Sequence, residues 1–301
     1  SAALNRRDFW ITQGMYPGIK TPVILGSDGA GEVTAIGEGV DEHWNGKSIV
    51  VNPGIAWGSD LRAQHPDFRI LGMPDDGTFA EQVVVDATLL CEKPEHLDWH
   101  QAAALPLAGV TAYRAVFTQG QVAEGQKVLV TGIGGGVATF ALQFAKHAGA
   151  QVIVTSSSEA KLEKARGLGA TAAYNYKEDG WHKRMLEEIG PVNLIIDSAA
   201  GAGYRALLDL ADFGGRIVNY GATTGPPEKV DMFKVFWKQL TLQGSTMGSP
   251  VDFAKMVDFV KSNSIVPAID EVFALQDGND ALARMRDSQQ FGKLVLNIND
   301  A

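Results

Sequence analysis

The chain has 301 residues, of which 45% are apolar and 20% are charged, so it is large enough to bury the core of one or two domains. Its 26 Lys and Arg residues against 35 Asp and Glu residues give a net charge of −9, which argues against a nucleic-acid partner. The single cysteine, Cys91, excludes an internal disulfide and a cysteine-rich zinc cluster, and this usage is typical of a cytoplasmic protein.

The first part of the chain, from about residue 16 to residue 92, contains short runs of β-forming residues between Gly and Pro residues. Residues 49–52 and 82–85 are the clearest predicted strands, and no long helical pattern interrupts them. This part therefore predicts a small antiparallel, barrel-like unit.

From residue 101 to residue 261, apolar runs of strand length alternate with helical patterns, which predicts a parallel sheet covered by helices. The predicted strands are 128–131, 152–155, 194–197, 216–220 and 240–244. The tail returns to strand, helix and strand at 272–274, 277–286 and 293–298, and we expect it to rejoin the first unit. The longest uncharged stretch, 128–145, is broken by glycines near its middle, so we expect no membrane partner.

A glycine cluster follows the strand at 128–131 and precedes a helix that we expect to end at Gly149. Backbone at such a turn must bend sharply and bring helix N-terminal amides close to a diphosphate, which requires glycine. The strand, turn and helix context predicts dinucleotide binding, with an ordinary tight turn as the alternative. The predicted binding residues are Gly134, Gly135, Gly136, Val137 and Ala138.

The second strand of this part ends in a Thr-Ser-Ser-Ser run at 155–158, without the acidic residue that binds the ribose 2′-OH of NAD. The hydroxyls of Ser156 and Ser157 and the charge of Lys161 suit a 2′-phosphate, which predicts NADP(H) as cofactor. In the alternative, Ser156 is the N-cap of a capping box with Glu159, and Lys161 is a solvated helix residue. Both interpretations can hold together, because a capped helix N-terminus also binds phosphate.

Two segments resemble the medium-chain dehydrogenase/reductase superfamily, and the resemblance covers nearly the whole chain. The sequence GSDGAGEV at 26–33 resembles the family's Gly-His-Glu-x-x-Gly segment, and GGVA at 135–138 followed by QFAK at 143–146 resembles its cofactor turn. The resemblance implies an α/β fold, with a Rossmann-type doubly wound parallel sheet and a GroES-like antiparallel β-barrel domain. We expect residues 1–106 to form the GroES-like domain, 107–262 the NADP(H)-binding domain and 263–301 the return to the first domain. Family members begin with further strands, so we expect the N-terminus to be shortened.

The same resemblance argues against a metal site. Zinc alcohol dehydrogenases of this family have Cys where this chain has Asn5 and His where it has Ser27, and their structural cysteine cluster is absent between residues 52 and 71. His96 and His100 lie four residues apart without the Glu of a metalloprotease motif. The pattern is similar to the zinc-independent quinone oxidoreductase and enone reductase branch. It implies NADPH, a homodimer and a small apolar quinone or carbonyl substrate.

Two residues are candidates for catalysis by this resemblance. Tyr16 resembles a tyrosine that supplies a proton in related enoyl reductases, and Asn5 would orient the substrate or the nicotinamide ribose. A half-buried aromatic and a turn residue are the simpler interpretations. We expect Asp8 to pair with a neighbouring Arg, and Ser27 and Asp28 to hold the loop.

Further residues are placed near the cofactor by the resemblance and by the strand ends. Thr111 is expected near the nicotinamide, Tyr176 near the 2′-phosphate and Ser198 near the adenosine. Thr111, Tyr176 and Ser198 are equally well explained as ordinary loop or helix residues, and Lys293 as a strand-edge lysine. The remaining predicted cofactor contacts are Tyr220, Gly221, Ala222, Thr246 and Lys293.

Trp57, Phe79, Phe236 and Trp237 are candidates for lining an apolar substrate cleft, with core packing as the alternative. The sequence thus favours an NADPH-dependent reductase of quinones or α,β-unsaturated carbonyl compounds. Two other functions remain open, namely an NADPH-binding redox sensor or structural protein without turnover, and an alcohol dehydrogenase.

Overall fold

The computed structural model describes residues 1–298, which divide into two compact units. One unit contains Ser1–Val110 and the chain from Met247 onward, and the other is Thr111–Thr246. The second boundary between these compact units lies at residues 246/247, before the helix Pro250–Ser262. The reason is that the helix Pro250–Ser262 packs with the first unit, where the sulfur of Met256 lies 3.1 Å from the position of a Cβ on Gly109.

The described residues form fourteen strands and ten α-helices. The strands are β1 (Ala2–Ala3), β2 (Asp28–Glu32), β3 (Ser48–Val51), β4 (Gly54–Ile55), β5 (Arg69–Ile70), β6 (Leu90–Glu92), β7 (Lys127–Val130), β8 (Gln151–Ser156), β9 (Ala172–Asn175), β10 (Val192–Asp197), β11 (Ala211–Asn219), β12 (Thr241–Gly244), β13 (Ile269–Ala274) and β14 (Lys293–Asn297). The helices are α1 (Arg6–Thr12), α2 (Trp99–Ala103), α3 (Pro106–Tyr113), α4 (Gly136–His147), α5 (Glu159–Gly167), α6 (Trp181–Glu188), α7 (Tyr204–Leu210), α8 (Met232–Trp237), α9 (Pro250–Ser262) and α10 (Gly278–Arg286).

A six-stranded sheet with the order β13-β14-β1-β2-β3-β6 organises the first unit, beside a separate pair of β4 and β5. The tail strands β13 and β14 pair in parallel, and the other pairs are antiparallel. The tail strands β13 and β14 thus lie in the sheet of this unit. The strand predicted at 82–85 is wrong, because this segment lies at the surface without strand pairing. Val84 is 97% exposed, although Val85 packs against the core cluster that contains Ile49 and Leu89.

A parallel sheet with the order β12-β11-β10-β7-β8-β9 organises the second unit, as predicted. Counted from β7, this is the 3-2-1-4-5-6 order of a doubly wound fold. Val128, Leu129 and Val130 of the central strand β7 are fully buried, and Phe140 and Phe144 of α4 join the core. The strand order reverses between β7 and β10, and ligands of such sheets bind at this point beyond the carboxyl ends of the strands.

The uncharged stretch 128–145 forms part of β7, the glycine turn and most of α4, as predicted from its glycines. Within residues 1–298, every helix is too short or too polar to cross a membrane.

Candidate functional site

The glycine turn of the second unit leaves a helix N-terminus open. β7 ends at Val130, and α4 begins at Gly136 after the N-cap residue Gly135, which offers no side-chain cap to the helix amides. The first amides of a helix lack partners within the helix and attract an anion. The five predicted residues of the glycine motif therefore lie together in the turn and in the first turn of α4. Ala138 is buried, so only its backbone is available to a ligand.

Lys161 from the neighbouring helix α5 lies against this turn. Gly134 has φ +135°, and a Cβ there would stand 2.8 Å from Cδ and 3.2 Å from Nζ of Lys161. Glycine is required here both by the backbone conformation and by the close approach of the lysine. The structure thus places a cationic side chain beside the open amides of α4.

The tip of β8 carries the serines that were expected to bind a 2′-phosphate. Ser156 is buried, and its Oγ accepts a hydrogen bond from the backbone N–H of Ser158 at 3.2 Å. The N-cap of α5 is Ser158, which accepts from Lys161 N, so the capping box predicted for Ser156 and Glu159 is wrong. The cause is that β8 extends through Ser156. The N-cap is therefore Ser158, and α5 begins at Glu159. The carboxylate of Glu159 instead accepts from Asn175 Nδ2 at 2.8 Å.

Other predicted cofactor residues surround the carboxyl ends of the same sheet. The backbone N–H of the exposed Tyr176 donates to Ser156 O, so β9 brings it beside the tip of β8. The Tyr220 hydroxyl bonds the Ser198 side chain, and burial raises the pKa of Tyr220 to about 12. A Cβ on Gly221 would stand 3.1 Å from Ser198 O. Ala222 and Thr246 are exposed beyond the ends of β11 and β12, and Thr111 is buried in α3.

Sequence reasoning missed the side chain that connects these strand ends. Asp197, the last residue of β10, is 1% exposed and accepts hydrogen bonds from Thr131 Oγ1 at 2.6 Å and Asn219 Nδ2 at 2.8 Å. Tyr204 in turn donates to Asn219 Oδ1 at 2.9 Å. The available signal was an acidic residue directly after the apolar run Leu-Ile-Ile of β10.

A buried cluster of Asn5, Asp28 and Lys293 forms a second candidate site, in the first unit. Lys293 Nζ donates to Asp28 Oδ2 and to Asn5 Oδ1, both at 2.7 Å, and Asn5 Nδ2 donates to Asp28 Oδ2 at 2.9 Å. Asp28 Oδ1 accepts from the backbone N–H of Leu107 at 2.7 Å. Lys293 was predicted as a cofactor contact or a strand-edge lysine. It lies on β14, which is paired on both sides, so the strand-edge interpretation is wrong.

Arg7 and Ser27 form a hydrogen-bonded pair next to this cluster. Arg7 Nη1 donates to Ser27 Oγ at 2.7 Å and to Leu71 O at 3.0 Å, and Ser27 Oγ donates to Leu71 O at 2.7 Å. The Arg7 guanidinium also lies 5.1 Å from the ring centroid of Tyr16, which is half-buried. Ser27 therefore holds its loop, as predicted.

Asp8 is fully buried in the same region. Its Oδ2 accepts from the backbone N–H of Asn5 at 2.8 Å, and its Oδ1 lies 4.0 Å from Arg7 Nη1, at the limit of an ion pair. Burial raises the pKa of Asp8 to about 6. Among the described residues, Asp8 Oδ1 and Arg7 Nε have no hydrogen-bond partner.

The aromatic residues predicted for a substrate cleft are in different environments. Trp57 is buried, and its ring makes a T-shaped contact with Phe68 at 5.2 Å between centroids. Phe79 packs against the core of the first unit. Phe236 and Trp237 are 61% and 64% exposed on α8, so core packing is wrong for these two residues.

The residues present do not fit a catalytic zinc ion. Zinc prefers Cys, His and carboxylate ligands, and residues 1–298 contain no group of three such side chains that could hold a metal. Asn5 and Ser27, the two positions that the sequence resemblance compares with zinc ligands, bond an ammonium and a guanidinium, respectively. His96 bonds Ile265 O, and a separate contact joins His100 to Ser1 Oγ.

Comparisons with known proteins agree with this architecture. Residues 1–95 match the family model of the alcohol dehydrogenase GroES-like domain, and residues 136–262 match that of the zinc-binding dehydrogenase. The zinc-type alcohol dehydrogenase-like protein YogA of Leptosphaeria maculans is 37% identical over 99% of this chain and 88% of its own. The acryloyl-coenzyme A reductase of Sulfurisphaera tokodaii is 27% identical over 98% of this chain and 89% of its own.

A solved structure extends the similarity to three dimensions. The crystal structure of an NAD-dependent alcohol dehydrogenase superposes with a TM-score of 0.93 and 34% identity, over 99% of this chain and 89% of that chain. The parallel sheet with its glycine turn, the GroES-like unit and these relatives lead to one assignment. The chain belongs to the medium-chain dehydrogenase/reductase superfamily of oxidoreductases.

Proposed function

We propose that this protein is a zinc-independent, NADP(H)-dependent reductase of small apolar quinones or α,β-unsaturated carbonyl compounds. The observation that carries the proposal is the buried cluster of Asn5, Asp28 and Lys293, which stands where zinc-dependent relatives have a metal ligand. The similarity to an acryloyl-coenzyme A reductase supports the substrate class, because acryloyl-coenzyme A is an α,β-unsaturated thioester.

The glycine turn supports a nicotinamide dinucleotide as cofactor. The open amides of α4 would bind the diphosphate, and Ser156, Ser157, Lys161 and Tyr176 would bind the 2′-phosphate of NADP(H). When bound, the reduced nicotinamide supplies the hydride. The similarity to an NAD-dependent enzyme favours NADH instead, so coenzyme choice is the first point to test.

Reduction of an enone also requires donors for the oxygen that becomes negative. Among the described residues, Asn5 Nδ2 uses one of its two N–H groups, and the Lys293 ammonium uses two of its three. The remaining donors would stabilise the enolate oxygen, with Lys293 providing the positive charge. Tyr16, whose ring lies 5.1 Å from the Arg7 guanidinium, would then deliver the proton from its phenol.

Coenzyme titration tests the cofactor assignment. We expect wild type to bind NADPH more tightly than NADH, and Lys161→Ala to weaken NADPH binding at least tenfold with little effect on NADH. Lys164→Ala, at an exposed position on the same helix, is the matched control and should leave both affinities unchanged. Equal loss for both coenzymes, or no loss, would remove Lys161 from the 2′-phosphate site.

A second variant tests the diphosphate site without disturbing the fold. Gly135 has φ −81°, and a Cβ there meets no atom within 4 Å, so Gly135→Ala should fold normally. The added methyl group would occupy space needed by a diphosphate, and we expect at least a tenfold loss of NADPH affinity. Gly167→Ala, which also meets open space, is the control for added bulk. Unchanged affinity in Gly135→Ala would place the nucleotide elsewhere.

A substrate panel separates the candidate activities. We expect NADPH oxidation with small quinones or enones, and no stimulation by added zinc. The alcohol dehydrogenase alternative predicts alcohol oxidation with one stoichiometric zinc ion. Saturable NADPH binding without turnover across the panel would instead favour a redox sensor or structural protein.

A homodimer and a cytoplasmic location complete the proposal. Helix α8 presents an aromatic patch to solvent, and the strand that follows it, β12, is the edge of the parallel sheet. Edge strands carry unpaired backbone groups, and a patch of exposed aromatics beside one suits a second copy of the chain. The patch consists of Met232, Phe233, Phe236 and Trp237, each more than 60% exposed. The cytoplasmic location rests on the single cysteine, Cys91.

A further inference from the structure

Asp197 occupies the central position at the carboxyl edge of the parallel sheet. Its carboxylate is fully engaged, accepting from Thr131 Oγ1 at 2.6 Å, Ala200 N at 2.9 Å and Asn219 Nδ2 at 2.8 Å. Within the described residues it has no ion-pair partner, and it is 1% exposed. A buried carboxylate without a cation requires such a complete set of donors.

The three donors come from three different parts of the nucleotide-binding edge. Thr131 lies between β7 and Gly132, the first residue of the glycine turn, and its backbone N–H also donates to Ile196 O at 3.0 Å. Asn219 is the last residue of β11. Asp197 therefore joins β7, β10 and β11 across the point where the strand order reverses.

The third donor belongs to a strained loop. Ala200 has φ +53° and ψ −122°, a conformation that residues with a Cβ rarely adopt. The bond from Ala200 N to Asp197 Oδ2 holds this conformation. Two further backbone bonds, from Gly201 N to Gly225 O and from Thr224 N to Ala199 O, fasten the loop after β10 to the loop after β11.

We propose that Asp197 is a positioning residue for the cofactor. Its carboxylate fixes both the entrance to the glycine turn and the strained loop after β10 before the nucleotide arrives. A site that is already ordered loses less conformational entropy on binding, so the effect is on affinity. This inference rests on the proposed nucleotide site and adds a residue that is not expected to touch the nucleotide.

Asp197→Asn tests the proposal, because an amide nitrogen cannot accept a hydrogen bond and at least one of the three donors loses its partner. We expect the Kd for NADPH to rise at least tenfold, while kcat at saturating NADPH stays within threefold of wild type. Asp212→Asn, which removes a partly exposed carboxylate from the same unit, should leave the Kd within twofold. Should Asp197→Asn fail to fold, Thr131→Val removes a single donor, and we expect a threefold to tenfold rise.

A second substitution separates positioning from general stability. Glycine adopts the backbone angles of residue 200 without strain, so adding Ala200→Gly to Asp197→Asn should restore NADPH affinity at least threefold. Affinity within twofold of wild type in the folded Asp197→Asn variant would overturn the proposal, as would an affinity loss that Ala200→Gly does not reduce. If the wild type binds neither NADPH nor NADH, the proposed function itself fails, and this outcome is distinct from either result.

Discussion

Replacing Lys293 with Met tests whether charge holds the buried cluster of the first unit together. Lys293 Nζ and Asp28 Oδ2 are 2.7 Å apart, and the two side chains are 3% and 0% exposed. Met keeps most of the apolar stem and removes the ammonium, so Asp28 stays buried without its cation. Removal of one partner of a buried pair costs about 3 to 5 kcal/mol. Asp28 keeps its bonds from Asn5 Nδ2 and Leu107 N, so we expect the lower end, about 3 kcal/mol.

The chain offers a matched control for this experiment in an exposed ion pair. Lys47 and Glu92 are 3.1 Å apart but 45% and 54% exposed, so Lys47→Met should cost less than about 1 kcal/mol. Urea unfolding gives both values, and the double variant with Asp28→Asn should show coupling of about 2 kcal/mol. Equal losses in Lys293→Met and Lys47→Met, or additive effects with Asp28→Asn, would refute this reasoning.

Three further predictions concern pH, proton supply and assembly. Because burial raises the pKa of Asp8 from 3.8 to about 6, the folded state binds this proton more tightly than the unfolded chain. The associated stability, about 3 kcal/mol, is present below about pH 4 and is lost as the pH rises through about 6. The unfolding free energy of Asp8→Asn should therefore increase relative to that of wild type over this pH range. A difference in unfolding free energy that does not change with pH would contradict this prediction. Tyr16→Phe should lower kcat for enone reduction about 100-fold without changing the NADPH Kd. The control Tyr174→Phe should change neither value. A fully active Tyr16→Phe variant would exclude the phenol as proton donor. Substituting both Phe233 and Trp237 with Glu should shift the light-scattering mass from dimer to monomer, and a wild-type monomer would end the dimer proposal.

The parallel sheet could be predicted because its information is local. The central strands β7, β8 and β10 are apolar runs that are buried over most of their length. The glycine turn follows β7 directly, so strand, turn and helix are adjacent in the sequence. The positions of β8, β10 and β14 were predicted within two residues at each end for the same reason. The turn residues Gly134 and Gly135 came from the same local pattern, and the structure adds the contact of Lys161 with Gly134.

The failures depend on contacts that a local pattern does not contain. Residues 82–85 alternate like a strand, but no apolar surface covers Val84. Ser156 has the spacing of a capping box, yet β8 continues through it by pairing with β9, and Ser158 becomes the N-cap. The contact of Met256 with Gly109, about 150 residues earlier in the chain, likewise joins α9 to the first unit in a way that no local pattern contains.

The candidate active site shows the same limit most clearly. Asn5, Asp28 and Lys293 are separated by up to 288 residues, and each has an ordinary explanation when read alone. Once they are together, burial of the Asp28 carboxylate requires a positive charge, and Lys293 provides it through the return of β14 to the sheet beside β1. An ammonium bonded to both Asp28 and Asn5 leaves these acceptors unavailable to a divalent cation. The placement of Lys293 therefore belongs to the proposal of a zinc-independent enzyme, and metal analysis of the wild type tests that proposal. We expect no stoichiometric zinc, because Asn5 and Ser27 are poor zinc ligands and the Lys293 ammonium already pairs with the Asp28 carboxylate.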